Sequence, residues 1–425
     1  METKRDYVYG KRSSVLILLR LYFHRLFQGI QALYRRISPN SNIIKDDVVI
    51  VAKGFYDTSS LVEFFEKCNW YLHNEIINFS INVDTSLKID DSVLGKIGKR
   101  IKFVENCASV YKEANFILLN NWKELFNWNI ITNIGKVRII DKTYFSYVES
   151  LEWQNLLYNS LNDSNRNFFT DVSKKNFLSY QYQKSHKTKA TCFVTGPSFS
   201  EYSKFEFNNN DLIVICNSIV KDHAFLEHTK GADILTFADP VFHFSFNEYA
   251  KVFRENMIFT FDKYKFFVTV PMHVFPVIYY NYPSLRNHLI GVVYKRRQQE
   301  YNIPSHDQLW VKDNANILTN LMIPMACAVS DQICIIGADG RKPDEKYFWA
   351  HNSSVQFDNL MSAVFEAHPS FFRDRDYKDY YEQHCQCCDE LLNHCEAFGK
   401  QFSVLTNSYI PAFNQRLSIN ETVQL

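Results

Sequence analysis

At 425 residues the chain is too long for one ordinary domain and suits two cores of common size. Its 46% hydrophobic and 22% charged residues make a soluble globular composition, which excludes a wholly disordered chain and a membrane-embedded body. A formal net charge of +1 excludes a whole-molecule field that would attract nucleic acid, so an anionic ligand must be held by local groups.

The segment from Lys11 to Ile37 places Leu16, Leu19, Phe23, Leu26, Ile30 and Leu33 at helical spacing and predicts an amphipathic basic helix. Arg12, Arg20, Arg25, Arg35 and Arg36 interrupt its apolar run, far short of the ~20 residues that a spanning helix needs. Two uses fit: packing on the body of the protein, or peripheral contact with an anionic membrane face. Helix and linker together take residues 1–45. Val48 to Ala52 (VVIVA) then opens an α/β domain over residues 46–165, in which a helical stretch (Ser59 to Cys68) and the strand-like runs IINFSI, RIKFVE, NFILLN and KVRIID follow one another. The polar run Asn162 to Asn167 marks its end. Ten irregularly spaced cysteines and a start without a signal-peptide pattern indicate a reducing, cytoplasmic setting.

A second alternating region spans residues 185–415, and here the polar motifs concentrate. The strand Thr191 to Thr195 ends in Gly196-Pro197-Ser198, where a glycine lets the backbone approach a phosphate or ribose, or simply makes a strand-to-helix turn. Asp211 to Cys216 ends in Asn217, and Asp233 to Phe237 ends in Ala238-Asp239-Pro240. In an open parallel sheet such tips line one ligand crevice, although Asp239-Pro240 is also an ordinary turn pair. Asn316 to Ser330 predicts a helix whose first turn offers Thr319 and Asn320 as a metal-free phosphate cradle. Gln332 to Ile336 ends in Gly337-Ala338-Asp339. A helix from about Tyr377 to Phe398 precedes the strand Phe402 to Leu405, which ends in Thr406-Asn407-Ser408. The fold class expected is α/β, with two Rossmann-like domains of mostly parallel sheets.

The ordered set, strand then GPS, strand then CNS, strand then FADP, helix with LTN, strand then GADG, strand then TNS, resembles the bacterial CMP-sialic acid transferases over residues 190 to 412. Those enzymes run GPSL, CN, YNP, TSG, SGID and CPNS. The chain departs by having Asp239 where they have Asn, and Leu318-Thr319-Asn320 for Thr-Ser-Gly. Asp at that tip, a preceding α/β domain and His273 in VTVPMHVFP look like the related retaining β-Kdo transferases, which also use a CMP donor. That resemblance implies a GT-B-like arrangement with a sialyltransferase-like second domain, no metal and no other cofactor. Its partners are a CMP-activated acidic sugar and a surface-glycan acceptor. It implies Asp239 as nucleophile and His273 at the CMP phosphate, with His351 a second candidate and Tyr347 supporting the phosphate. Gly196, Pro197, Ser198, Asn217, Thr319, Asn320, Gly337, Asp339, Asn407 and Ser408 bind donor on the same reading.

The acceptor falls to the first domain, where Glu149 or Glu152 would supply a general base or merely favour a helix amino end. Asp374-Arg375-Asp376 imitates a metal motif in a charged loop and reads as solvated. His384, Cys385, Cys387, Cys388, His394 and Cys395 crowd one helix without paired CxxC knuckles, which indicates packing and exposed thiols. Lys295-Arg296-Arg297 is a basic loop for an anionic group or for water. Two rivals stand beside the leading expectation: an inverting sialyltransferase in which Asp239 orients substrate, and a non-catalytic nucleotide-binding scaffold of a glycan assembly complex.

Overall fold

The computed structural model describes residues 22–23, 26–33, 47–73, 78–87, 95–105, 107–141, 149–296, 298–314, 316–341, 352–367 and 377–418. The chain forms two compact units, one of 1–167 with 244–247 and 362–375, the other of 168–243, 248–361 and 376–425. Each carries its own parallel sheet.

In the first unit the strands are β1 (Asp47–Lys53), β2 (Asn78–Asp84), β3 (Ile101–Val104), β4 (Phe116–Leu119) and β5 (Val137–Ile139), in the order β3-β2-β1-β4-β5. The β-branched run of β1 is buried on both faces, as a central parallel strand requires. The crossover helix Thr58–Tyr71 starts at Asp57, whose carboxylate accepts the Ser60 amide at 2.7 Å. Its apolar stripe meets the helix Glu149–Ser160, where Trp153 stacks on Tyr71 with ring centroids 5.5 Å apart. The described part of the amino-terminal helix also packs on this unit. Phe27 enters the core beside Leu125 and Ile130, and the Gln31 carboxamide donates to the carbonyls of Ile134 and Val137 at 3.1 and 2.9 Å.

The polar run expected to end the first domain holds the start of a 22-residue helix, Asp163–Lys184, and the leading stretch of the first unit ends within it, at residue 167. Asn162 accepts the Asn165 amide at 2.9 Å, so the polar run at this boundary also serves as a helix cap. The same residue types favour both.

The second unit holds β6 (Lys189–Phe193), β7 (Asp211–Cys216), β8 (Ile234–Thr236), β9 (Phe267–Pro271), β10 (Leu289–Lys295), β11 (Trp310–Lys312), β12 (Gln332–Ile336) and β13 (Gln401–Val404). Their order is β11-β10-β9-β8-β7-β6-β12-β13, and every strand pairing among the described residues of both sheets is parallel. The chain steps outward from β6 to β11, then returns past β6 to β12. The connections therefore diverge between β6 and β12, and such a divergence opens a crevice at the carboxyl ends of the strands. No helix of the described residues is long and apolar enough to cross a membrane.

The helix expected from Asn316 to Ser330 begins with a widened π turn, Leu318–Met322, before the α-helical Ile323–Cys327. Pro324 accounts for it. In an unbroken α-helix its ring would press on the Asn320 carbonyl and offer no N–H, and the wider turn, closed by Ile323 N–H to Leu318 O, relieves the clash.

Candidate functional site at the carboxyl ends of the second sheet

The tips of β6 and β12 cross so closely that only glycines fit. Gly196 N–H donates to Gly337 O at 2.9 Å, and a Cβ on Gly196 would lie 2.2 Å from Asp339 Oδ2. Gly337 has φ +80°, and a Cβ there would sit 2.1 Å from Val194 O. The Asp339 carboxylate then occupies the amino end of the short helix Pro197–Lys204, accepting from Ser198 N at 3.1 Å and Ser198 Oγ at 2.9 Å. Burial pushes the Asp339 carboxyl up, while the hydrogen bonds from Ser198 pull the other way. Ser198 Oγ lies 3.0 Å from Thr406 Oγ1, which accepts from Gly337 N–H at 3.2 Å. Ser408 Oγ donates to Ala338 O at 2.7 Å. Ser198, Asp339 and Ser408 are thus engaged in shaping this turn, whereas Asn407 is exposed at the β13 tip.

Three further predicted residues stand on consecutive strand tips. Asn217 follows β7 in the left-handed region, φ +50°, with its side-chain oxygen buried and lacking a hydrogen-bond partner among the described residues. Asp239 follows β8, two strands from β6, which is roughly 10 Å across a sheet. His273 follows β9, the next strand along.

The Asp239 side chain is half-buried and its loop is stitched together. Oδ1 accepts the amides of Val241 and Phe242 at 2.8 and 2.9 Å, and Asp239 N–H donates to His243 Nδ1 at 3.1 Å. His243 therefore carries its proton on Nε2, and its ring packs between Phe237 and Phe253. Burial, aided by Arg254, holds the His243 imidazole down at about 3, so it is neutral at physiological pH. Sequence reasoning passed over His243 because nothing in FADPVFHF marks it as the brace of the Asp239 turn.

His273 is also held neutral. Burial, then the Arg296 guanidinium, push it down to about 4, against the pull of Asp313. Arg296 is ion-paired to Asp313 at 2.9 Å, and Lys295 lies 4.1 Å from the Trp310 ring centre. Of the two ways in which a histidine can serve a phosphate, as a cation or as a neutral hydrogen-bonding partner, the second fits this burial.

Thr319 and Asn320 are buried in the π turn, where Asn320 Oδ1 accepts the Asn314 amide at 2.8 Å. The Asn314 carboxamide itself is buried with neither its oxygen nor its nitrogen hydrogen-bonded among the described residues. Asn314 obeys the rule that pointed to Asn217, a polar residue just past a strand. Its strand, β11, spans only three residues and gives little periodicity to detect.

His351, Tyr347 and the Asp374-Arg375-Asp376 run lie outside the described residues, as does Arg297. Asn352, next to His351, is bonded to the β6 turn through its N–H to Thr195 O at 2.8 Å and its carboxamide to Pro197 O at 3.3 Å.

Glu149 is not gathered into this set. It is buried in the first unit, paired to Lys67 at 2.8 Å and accepting from the Trp153 indole at 2.7 Å. Lys67 stands nine residues into its helix, roughly 14 Å below the strand tips at which that helix begins. Glu152 meets Arg138 at 3.6 Å. Both are core ion-pair partners. In the cysteine-rich helix Tyr377–Ala397, buried His384 contacts Cys388 at 3.7 Å, and burial pushes its imidazole down to about 4. Among the described residues no three His, Cys, Asp or Glu are grouped so as to hold a metal ion.

No family model, curated protein or solved structure matches the chain.

Proposed function

We propose that the chain is a CMP-sugar-dependent glycosyltransferase that moves Kdo from CMP-β-Kdo to a surface-glycan acceptor with retention of configuration. The observation that carries this reading is the row Asn217, Asp239, His273 on the consecutive tips of β7, β8 and β9, beside the divergence at β6 and β12. One carboxylate at the centre of that row suits a double displacement. Asp239 attacks the anomeric carbon, the bond to the CMP phosphate oxygen breaks, and CMP departs with the electron pair. The acceptor hydroxyl then displaces the aspartyl ester, its proton passing to a base, and Asp239 is restored.

The other groups take supporting parts. The bracing of Asp239 by two amides and by His243 sets its orientation before substrate arrives. Neutral His273 hydrogen-bonds the departing phosphate, and the carboxamides of Asn217 and Asn314 offer polar atoms that a nucleotide or sugar would satisfy. The reaction is drawn without a metal, as the resemblance to CMP-sugar enzymes implies.

A second reading draws on the same bracing. A carboxylate already accepting two amides is also suited to orienting substrate in an inverting transfer. Mass spectrometry of the intact protein after incubation with CMP-Kdo separates the two. Retention requires one added Kdo mass on a peptide containing Asp239, lost in Asp239→Asn. Failure to release CMP from either CMP-Kdo or CMP-sialic acid would leave only a nucleotide-binding scaffold.

A further inference from the structure

The described part of the amino-terminal helix turns Phe27 and Gln31 into the first unit, yet it leaves a second apolar stripe outward. Tyr22, Leu26, Ile30 and Leu33 recur at helical spacing and are 43–69% exposed. The segment beneath the helix continues the same character. Phe23 packs edge-on to Trp122 at 6.5 Å and Trp122 to Phe126 at 6.3 Å, and just beyond them Phe126 is 66% exposed and Trp128 74%, with Ile131 also outward. Six large apolar or aromatic side chains besides Ile131 thus face water from two elements packed on each other. Water-soluble surfaces rarely group so many.

Charge identifies what covers them. From Tyr7 to Ile44 the sequence carries Lys11, Arg12, Arg20, Arg25, Arg35 and Arg36 and no acidic residue, in a chain whose formal net charge is only +1. Cations concentrated in the same stretch of sequence as Tyr22, Leu26, Ile30 and Leu33 match the headgroup zone of an anionic bilayer, where aromatic rings sit at the interface and each basic residue adds attraction. A second copy of the chain would bring the same positive segment against itself.

We infer that this face is a composite membrane-binding surface, in which Phe126, Trp128 and Ile131 enter an anionic lipid interface together with the outward stripe of the amino-terminal helix. This differs from a lone amphipathic helix lying on lipid, because two short helical turns of the folded α/β unit, Trp122–Phe126 and Trp128–Ile131, share the contact and fix that unit's orientation to the bilayer. The inference is independent of the glycosyl-transfer reading.

The test uses the full-length protein with vesicles of phosphatidylcholine alone or with 30% phosphatidylglycerol, a composition chosen here as about that of an anionic membrane. Partition should favour the anionic vesicles and weaken as salt is raised. Leu26→Asp with Ile30→Asp, and separately Phe126→Ser with Trp128→Ser, should each lower partition about tenfold or more while leaving the thermal midpoint unchanged. Brominated lipid should quench wild-type fluorescence more than that of Trp128→Phe. Wild-type partition by the Phe126/Trp128 variant, equal quenching of Trp128→Phe, or absence of binding to either vesicle would each overturn the inference. So would a dimer that these substitutions dissociate in a protein that ignores vesicles.

Discussion

Asp239 and its neighbours carry the sharpest expectations at the scale of single residues. Under double displacement Asp239→Asn removes the nucleophile but keeps the side-chain oxygen that accepts the Val241 and Phe242 amides, so turnover should fall on the order of a thousandfold or more with folding intact. Near-wild-type turnover in that variant would favour the inverting path. The two neutral histidines make a pH prediction. An unfolded chain protonates them near 6.5, whereas the folded chain keeps His243 neutral down to about 3 and His273 down to about 4. Their depressed values make the unfolded state the stronger proton binder as pH falls below about 6.5, so stability is full above that pH and declines toward 4. Urea midpoints at pH 7.5 and 5 should therefore differ less in His243→Gln than in the native protein. Gly337→Ala forces a side chain onto φ +80° and against Val194 O, and should cost at least about 2 kcal/mol by thermal melting. A Gly337→Ala midpoint equal to that of the native protein would show that the β6 and β12 tips are not so tightly crossed.

The π turn Leu318–Met322 is the element whose shape depends most on one residue. With alanine at 324 the missing N–H returns and the ring clash disappears, so a regular α turn becomes available and Thr319 and Asn320 rotate about the axis. Pro324→Ala should keep the melting temperature within about 4 °C while weakening CMP binding measured by calorimetry. Unchanged affinity would separate the turn from ligand binding. The π turn lay beyond sequence reading. The helix expected over residues 316–330 is present over Leu318–Cys327, but a one-residue change of register does not alter which residues are apolar, so the π turn left no mark. The short strands β8 and β11 show the opposite limit, since three residues barely express a period of two.

For the whole molecule, the cysteines report on packing. Cys68, Cys192, Cys216, Cys327, Cys334, Cys388 and Cys395 are buried, Cys385 and Cys387 are half-buried, and Cys107 is exposed. The Ser109 hydroxyl and the Val110 amide favour the Cys107 thiolate. Titration of the native protein with an aromatic disulfide should show one fast thiol, abolished by Cys107→Ser, with the buried seven reacting only on denaturation. More than three rapidly reacting thiols would mean that the two cores open readily in solution.

Alternation of buried strand runs with helical stretches was enough to assign two parallel α/β sheets, because such strands must be apolar on both faces and their crossovers must be amphipathic. The polar residues at the strand ends, Asn217 and Asp239 among them, were legible for the same reason: hydrophobic runs stop where the sheet stops, whereas His273 was singled out by the family resemblance of VTVPMHVFP. Which of those polar residues remain available to a ligand was decided only by tertiary contacts. Ser198 and Asp339 satisfy each other, Glu149 belongs to Lys67 and Trp153, His243 braces the Asp239 turn, and the Asn314 carboxamide is left without a bond among the described residues. Local periodicity records how far each residue is from water, whereas a hydrogen-bond partner many positions away in the chain leaves no trace in it.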